Sequence, residues 1–150
     1  MKLYFAAPLF CEAERRYNAD LAEKVEALGF EVFLPQRDGV VGASETGDGD
    51  GAMRRARAIF ELDLERIKAT DIFFYLLDGR VPDEGAAVAL GIAFADKAAR
   101  RPDRLLLGLH TDGRAAFPDA ALNPMLAASL DRVFADERSL LAYLDGLPRR

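Results

Sequence analysis

The stretch Asp71–Ala99, DIFFYLLDGRVPDEGAAVALGIAFADKAA, decides the fold of this chain. After Asp71 the letters IFFYLL form the most hydrophobic run of the sequence, and such a run is typical of a parallel strand covered on both faces. A turn that contains Pro82 follows, and Asp83 is well placed to cap a helix that ends near Ala99. The stretch therefore predicts a central strand followed by a closely packed helix that begins at residue 83 or 84.

The same alternation of strand and helix extends to both sides of this stretch. Short apolar runs predict strands, and apolar side chains spaced three or four residues apart predict helices. The predicted strands are Leu3–Ala7, Glu31–Leu34, Arg104–Leu109 and Asp131–Phe134, and the predicted helices span residues 12–28, 52–68 and 139–144. Strands that alternate with helices at this spacing predict an α/β sandwich around a parallel five-stranded sheet.

Composition and charge limit the function. With 150 residues, 51% of them hydrophobic and 30% charged, the chain fits one globular domain over residues 1–150 and is neither disordered nor repetitive. A net charge of -5 argues against binding to a nucleic acid polymer. No apolar run reaches the roughly 20 residues that span a membrane, and MKLYFAAPLF is too short for a full signal peptide. Because the single cysteine, Cys11, cannot form an internal disulfide, we expect a soluble cytoplasmic protein.

Ligands of parallel α/β sheets bind at the carboxyl ends of the strands, so the loops after the strands are the candidate sites. These loops are Ala7–Cys11, Pro35–Ala52, Asp78–Asp83 and His110–Asn123. The loop Pro35–Ala52 contains GVVGASETGDGDG, which has too few large side chains to bury much apolar surface. We expect it to be either a surface connection or a lid over the site.

The residues of these loops permit few kinds of chemistry. Asp78 and Asp83 flank a tight turn, and turn geometry alone explains both, although the turn lies at a strand end where sites form. Taken alone, Asp63 is most simply a solvated helix residue, and Asp71 is a polar turn residue without a further role. One histidine and one cysteine are too few ligands for a soft metal site, so we expect neither a metal nor a cofactor.

Four segments together resemble the nucleoside 2-deoxyribosyltransferases. They are LYFAAPLF at residues 3–10, FELDLERIKATDIFF at 60–74, DGRVPDEGAAVALGIAFA at 78–95 and NPM at 123–125. One of these motifs is weakly specific, whereas four in the same order and spacing are strongly specific. The resemblance implies a flavodoxin-like three-layer sandwich, a homo-oligomer in which a neighbouring subunit completes each site, and a role in nucleotide salvage.

The resemblance also implies a chemistry, the exchange of nucleobases on 2'-deoxynucleosides. A glutamate attacks the anomeric carbon and expels the base, and a second base then attacks the deoxyribosyl ester, so that the configuration is retained. The carboxylate partner of this reaction is Asp63, which resembles the residue that hydrogen-bonds the base and helps to protonate it. Tyr4 resembles the aromatic residue whose hydroxyl orients the nucleophile.

The remaining site residues implied by the resemblance bind substrate. Asp83 and Asn123 resemble residues that hold the sugar hydroxyls, Asn123 from across a subunit interface. Phe10 and Met125 resemble the walls of the base pocket, and Gly85 lets backbone or ligand approach closely.

The sequence departs from the family pattern at the nucleophile. Where the family has E-L-G, this chain has Ala89-Leu90-Gly91, and alanine has no lone pair with which to form the ester. Glu84 lies about 140° away around a helix, so we do not expect it to substitute. The otherwise intact motifs favour a variant that has been inactivated on purpose over a natural relative that has lost or altered the chemistry. The ending Leu147-Pro148-Arg149-Arg150 also lacks the aromatic terminal residue that some members place in a neighbour's site.

Two other functions stay open. The first is a 2'-deoxynucleoside 5'-monophosphate N-glycosidase, for which Arg37, Arg80 and Ser44 are candidate phosphate ligands. The second is a non-catalytic nucleoside-binding protein, which alanine at position 89 permits as it stands.

Overall fold

Five parallel strands form one sheet in the computed structural model, which describes residues 1–40, 49–79, 81–112 and 122–148. The order across the sheet is β2-β1-β3-β4-β5. The strands are β1 (Lys2–Ala6), β2 (Glu31–Phe33), β3 (Ile72–Leu76), β4 (Leu105–Leu109) and β5 (Arg132–Phe134). The predicted parallel five-stranded sheet is thus confirmed, with β3 paired on both sides and buried at every position.

Helices cover both faces of this sheet and complete a flavodoxin-like three-layer sandwich. They are α1 (Glu12–Ala27), α2 (Pro35–Asp38), α3 (Gly49–Ala69), α4 (Glu84–Arg100), α5 (Pro124–Ser129) and α6 (Glu137–Asp145). Helices α1 and α6 pack on one face, and α3, α4 and α5 pack on the other. No helix in the described ranges has a stretch long and apolar enough to cross a bilayer.

Alternating side chains of the central strands divide the core into two halves. Leu3 and Phe5 of β1 and Phe74 of β3 belong to the cluster under α1 and α6. Tyr4 and Phe73 point the other way, into the cluster under α3 and α4. Because strand side chains alternate with period two, both faces must be apolar, which explains the continuous hydrophobic runs of the sequence.

One expected loop is partly helical. Within Pro35–Ala52, residues 35–38 form α2 and residues 49–52 form the first turn of α3, so the prediction of a single long loop is wrong there. Pro35 begins α2 with a φ angle suited to a first helical turn, and the carboxylate of Asp38 accepts a hydrogen bond from the backbone N–H of Leu34 (2.9 Å). The possible lid at residues 41–48 lies outside the described residues.

Asp71 has a structural role that the sequence analysis did not assign. One oxygen of its carboxylate accepts a hydrogen bond from the backbone N–H of Lys2 (2.8 Å), and the other accepts one from Arg101 (2.7 Å). These bonds join the start of β1 to the end of α4. Although burial opposes ionisation, the hydrogen bonds from Lys2 and Arg101 hold the pKa of Asp71 below its usual range.

A buried arginine closes the same edge of the sheet. Arg104 is 1% exposed and pairs with the carboxylate of Asp96 on α4 at 2.8 Å. Its guanidinium also donates to the carbonyl oxygens of Lys68, Thr70 and Ala93. All three nitrogens of the buried guanidinium therefore bond to oxygen atoms, as a charge in a protein interior requires.

Candidate active site

A cleft of about 440 Å³ opens at the carboxyl edge of the sheet, on the face covered by α3 and α4. Parallel α/β domains bind ligands at this edge because several strand ends and helix N-termini meet there. Six residues singled out in the sequence line this cleft together: Tyr4, Phe10, Asp63, Asp83, Gly85 and Ala89. A cavity of similar volume, about 460 Å³, lies at the opposite edge, where Asp71 is already bonded to Arg101. The carboxyl-edge cleft is therefore the candidate site.

The floor of the cleft holds a phenol paired with a carboxylate. Tyr4 is fixed between the rings of Phe33 and Phe73, whose centroids lie 5.5 and 5.6 Å away. Its hydroxyl interacts electrostatically with the carboxylate of Asp63 on α3. Asp63 is therefore half-buried at the cleft and is more than the solvated helix residue that an isolated aspartate suggests.

Burial changes the acidity of both partners. It raises the pKa of the Tyr4 phenol far above its ordinary value, and the neighbouring Asp63 charge adds to that effect. Burial also raises the pKa of the Asp63 carboxyl, although the interaction with Tyr4 acts in the opposite direction. A carboxyl with a raised pKa is suited to hold and pass a proton.

Asp83 caps the helix that forms one wall. One oxygen of its carboxylate accepts a hydrogen bond from the backbone N–H of Ala86 at 2.7 Å, which confirms the predicted cap of α4. Its backbone carbonyl accepts a hydrogen bond from the hydroxyl of Tyr75 at the end of β3. Tyr75 thus fixes the turn between β3 and α4, a role that sequence reasoning missed because Tyr75 stands in a continuous apolar run.

Position 89 lies on the cleft face of α4, one and two-thirds turns beyond the cap. Ala89 is half-buried and presents only a methyl group to the cleft. Gly85, one turn earlier, is exposed, and an added Cβ there would lie 3.3 Å from a carboxylate oxygen of Asp83. Glu84 is exposed and does not line the cleft, in line with the expected angle between positions 84 and 89.

Two predicted site residues lie elsewhere. The side-chain oxygen of Asn123 accepts a hydrogen bond from the backbone N–H of Met125 (2.9 Å) and so caps α5. Met125 is 77% exposed. Neither residue lines the cleft of its own chain. Sequence reasoning also missed the apolar walls that α3 contributes, Ile59 and Phe60, which precede Asp63 by one helical turn.

The ionisable side chains of the cleft are mainly acidic. Among the described residues that line it, the ionisable side chains besides Tyr4 are Asp63 and Asp83. Arg37, a candidate phosphate ligand, instead pairs with Glu26 (2.8 Å) and Asp38 (2.9 Å). The other two candidates, Arg80 and Ser44, lie outside the described residues. Within the described residues no group of three side chains is placed to hold a metal ion.

An apolar cleft with a phenol–carboxylate pair, at the carboxyl edge of a flavodoxin-like sheet, defines a small-molecule site of the α/β class. The sequence model of the nucleoside 2-deoxyribosyltransferase family matches residues 3–125. The chain therefore belongs to the nucleoside 2-deoxyribosyltransferase family.

Solved structures agree with this assignment. A conserved protein from Enterococcus faecalis V583 is 28% identical with a TM-score of 0.76, and the match covers 96% of each chain. A 2-deoxyribosyltransferase from Bacillus psychrosaccharolyticus is 25% identical with a TM-score of 0.72, again over 96% of each chain. A CMP N-glycosidase from Clostridium botulinum shares the fold at 20% identity and a TM-score of 0.56, over 97% of this chain and 98% of the other. No curated protein sequence matches the chain significantly.

Proposed function

We propose that this chain binds 2'-deoxynucleosides and free nucleobases in the carboxyl-edge cleft and is the scaffold of a nucleoside 2-deoxyribosyltransferase. The observation that carries the proposal is the meeting of Tyr4, Asp63, Asp83 and position 89 in one cleft. These residues come from β1, α3 and α4, and the reaction needs them within reach of one substrate. The proposed setting is the cytoplasm, in nucleotide salvage.

In the proposed reaction, a glutamate oxygen at position 89 bonds to the anomeric carbon while the bond from that carbon to the base nitrogen breaks. Asp63, whose pKa is raised by burial, supplies the proton that the departing base needs. A nitrogen of the second base then attacks the same carbon and releases the carboxylate, while the N–H proton of that base passes to Asp63 and restores its carboxyl group. Tyr4 orients the nucleophile, and Asp83 holds the sugar hydroxyls. With Ala89 the ester cannot form, so binding persists and base exchange is lost.

The charges favour nucleosides over 5'-monophosphates. The described lining of the cleft has acidic side chains and no cationic one to balance a phosphate dianion, and Arg37 is engaged by Glu26 and Asp38. We therefore place the N-glycosidase acting on monophosphates second. A preference for phosphorylated ligands in a binding measurement would reverse this order.

We also propose that copies of this chain associate and share sites. Met53 and Phe60 on α3 and Val88 on α4 are each more than half exposed, and Phe60 and Val88 line the cleft. Large apolar side chains at a site mark an interaction surface. Asn123 and Met125 lie outside the cleft of their own chain, and we propose that they reach the cleft of a neighbouring copy. A monodisperse monomer that still binds nucleoside would exclude shared sites.

The test compares the chain with its Ala89→Glu variant. Each protein is incubated with a 2'-deoxynucleoside and a different free base, and new nucleoside is followed by chromatography. We expect exchange from Ala89→Glu alone. Ala95→Glu, which adds the same side chain to an exposed position of α4, is the matched control and should stay inactive.

Each other result points to a different function. Release of base without new nucleoside from Ala89→Glu indicates a hydrolase. Binding of nucleoside by both proteins without turnover indicates a binding protein. Exchange by the unaltered chain shows that position 89 is not the nucleophile. In every case Asp63→Ala should weaken base binding about tenfold or more with the fold intact, because it removes a hydrogen-bonding carboxylate.

A further inference from the structure

The loop between β1 and α1 is held by side chains of α1 at four consecutive residues. The carbonyl of Pro8 accepts a hydrogen bond from Asn18 (2.8 Å), and the carbonyl of Leu9 accepts one from Arg15 (3.1 Å). The carboxylate of Glu14 accepts hydrogen bonds from the backbone N–H groups of Phe10 (2.7 Å) and Cys11 (3.0 Å). We call Glu14, Arg15 and Asn18 the loop clamp.

The clamp matters because the side chain of Phe10, which the loop carries, has too few packing contacts to hold its own position. Phe10 lines the cleft, yet the residue is 75% exposed. A ring with so little packing obtains its position from its backbone. The backbone of Phe10 is bonded by Glu14, and the two residues before it are bonded by Arg15 and Asn18.

Asn18 extends the clamp to the second wall of the cleft. Its side-chain N–H₂ also donates to the amide oxygen of Gln36 (3.0 Å), and Gln36 donates in turn to the carbonyl of Arg15 (2.7 Å). Gln36 follows Pro35, which lines the same cleft as Phe10. The orientation of both amides is fixed, because the carbonyls of Pro8 and Arg15 can only accept.

Asn18 keeps this orientation at a cost. Its side chain is 1% exposed, and its side-chain oxygen has no hydrogen-bond partner among the described residues. A buried unpaired acceptor is unfavourable, so an apolar residue would suit the core better. What the amide contributes is its pair of hydrogens, which tie the loop after β1 to α2.

We infer that the loop clamp preorganises Phe10 and Pro35 as the aromatic and apolar wall of the cleft, with Arg15 and Asn18 as positioning residues for ligand binding. The ordering of the loop is complete before the ligand arrives, so the ligand does not lose affinity to that ordering. Loosening the clamp should weaken binding without removing any contact with the ligand. The ligand class used in the test rests on the proposed function, whereas the order of the loop does not.

The test uses the single cysteine of the chain as a reporter. Cys11 is exposed and lies in the clamped loop, so a nitroxide label on it reports loop mobility by electron paramagnetic resonance. Arg15→Ala is compared with Arg16→Ala, because the neighbouring Arg16 is on the same helix and pairs only with the exposed Glu12 in the described contacts. Binding of 2'-deoxyadenosine and thymidine is measured by calorimetry on the unlabelled proteins.

We expect Arg15→Ala to sharpen the nitroxide spectrum and to weaken nucleoside binding about three- to tenfold, the worth of one hydrogen bond. Arg16→Ala should change neither, and Arg15→Lys, which keeps a donor, should restore both. Asn18→Ala should loosen the loop further. Thermal unfolding identifies any variant whose fold is lost.

Two results would overturn the inference. An unchanged spectrum in both Arg15→Ala and Asn18→Ala shows that the clamp does not order the loop, and a mobile loop with unchanged affinity shows that the loop is not a wall of the site. If the unaltered chain binds neither nucleoside, the proposed function fails, while the spectra of Arg15→Ala and Arg16→Ala still decide whether the clamp orders the loop.

Discussion

Replacing Arg104 by methionine should strongly destabilise this fold. The guanidinium is fully buried against Asp96, which is itself 5% exposed, and the two groups are 2.8 Å apart. Arg104→Met leaves the carboxylate in the core and frees the carbonyls of Lys68 and Thr70 from their donor. Removing one partner of a buried pair costs about 3–5 kcal/mol, because the remaining charge is uncompensated.

That cost is large relative to the total free energy of unfolding of a domain. Domains of this size have free energies of unfolding of about 5–15 kcal/mol, and about 1 kcal/mol shifts the midpoint of thermal unfolding by roughly 2–4 °C. We therefore expect Arg104→Met to lower the midpoint by about 6–20 °C. Urea unfolding followed by circular dichroism gives the free energy, provided that the slope of the transition is unchanged.

Arg100 provides a matched control, because it pairs with the same carboxylate, that of Asp96. Arg100 also bonds to Asp96, yet its side chain is 63% exposed. Because solvent screens an exposed cation and side-chain entropy opposes the pair, Arg100→Met should cost under about 1 kcal/mol. Although burial disfavours its ionised form, hydrogen bonding to Arg100 and the charge of Arg104 keep the pKa of Asp96 below its usual range.

The difference between the two arginines tests the reasoning. If Arg104→Met and Arg100→Met have equal free energies of unfolding, burial does not determine how much the Arg104–Asp96 pair stabilises the fold. The double variant Arg104→Met with Asp96→Leu should recover most of the loss, since an apolar pair of similar volume removes both buried charges. A double variant as unstable as Arg104→Met would also refute the argument.

Three further changes have expected outcomes. Gly108→Ala should destabilise the fold by about 1–3 kcal/mol in urea unfolding, because its Cβ would lie 2.8 Å from Leu77 and 2.9 Å from Leu130; an unchanged midpoint would contradict this. Asp136→Ala should lower the midpoint of urea unfolding through loss of the α6 cap, while a comparable loss from exposed Glu12→Ala would show that capping is not the cause. Asp63→Asn should stabilise the folded chain at neutral pH, because burial raises the pKa of Asp63 and disfavours its ionised form. The folded state binds the proton more tightly than the unfolded state, so this advantage shrinks as pH falls through the raised pKa and is gone below the ordinary pKa; a pH-independent difference would refute it.

The strands could be predicted because a strand that is buried on both faces is a run of consecutive apolar residues. Each apolar run became a strand, and the bounds differ by a residue or so, since strand ends depend on hydrogen bonding across the sheet. The two short helices were missed. For α5 a signal existed, Asn123 followed by Pro124, which is a capping residue before a proline at the first helical position. For α2 the cap Leu34 has no polar side chain, so Pro35 at the first helical position was the weaker signal there.

The candidate site was predictable where chain direction alone brings residues together. Residues at or near the ends of β1 and β3 meet because parallel strands end at one edge, and this places Phe10 near Asp83. The meeting of Tyr4 and Asp63 in one cleft depends on how α3 is rotated over the sheet, and no local pattern encodes that rotation. The burial of Arg104 was equally hidden, because the carbonyls it meets come from distant segments.

The first half of α3 has a consequence for exchange of amide hydrogens with solvent. All ten residues from Ala52 to Glu61 are exposed, so this part of the helix has almost no buried contact to hold it. Short helical segments without packing open readily, and their amides exchange at nearly the rate of an unfolded peptide. In an isolated chain these amides should exchange within seconds, whereas the amides around Ile67, which is 1% exposed, should be protected for far longer. Slow exchange across Ala52–Glu61 would then show that a second copy of the chain covers this segment. The exchange rates would report this for each residue separately, without a chemical label on the protein.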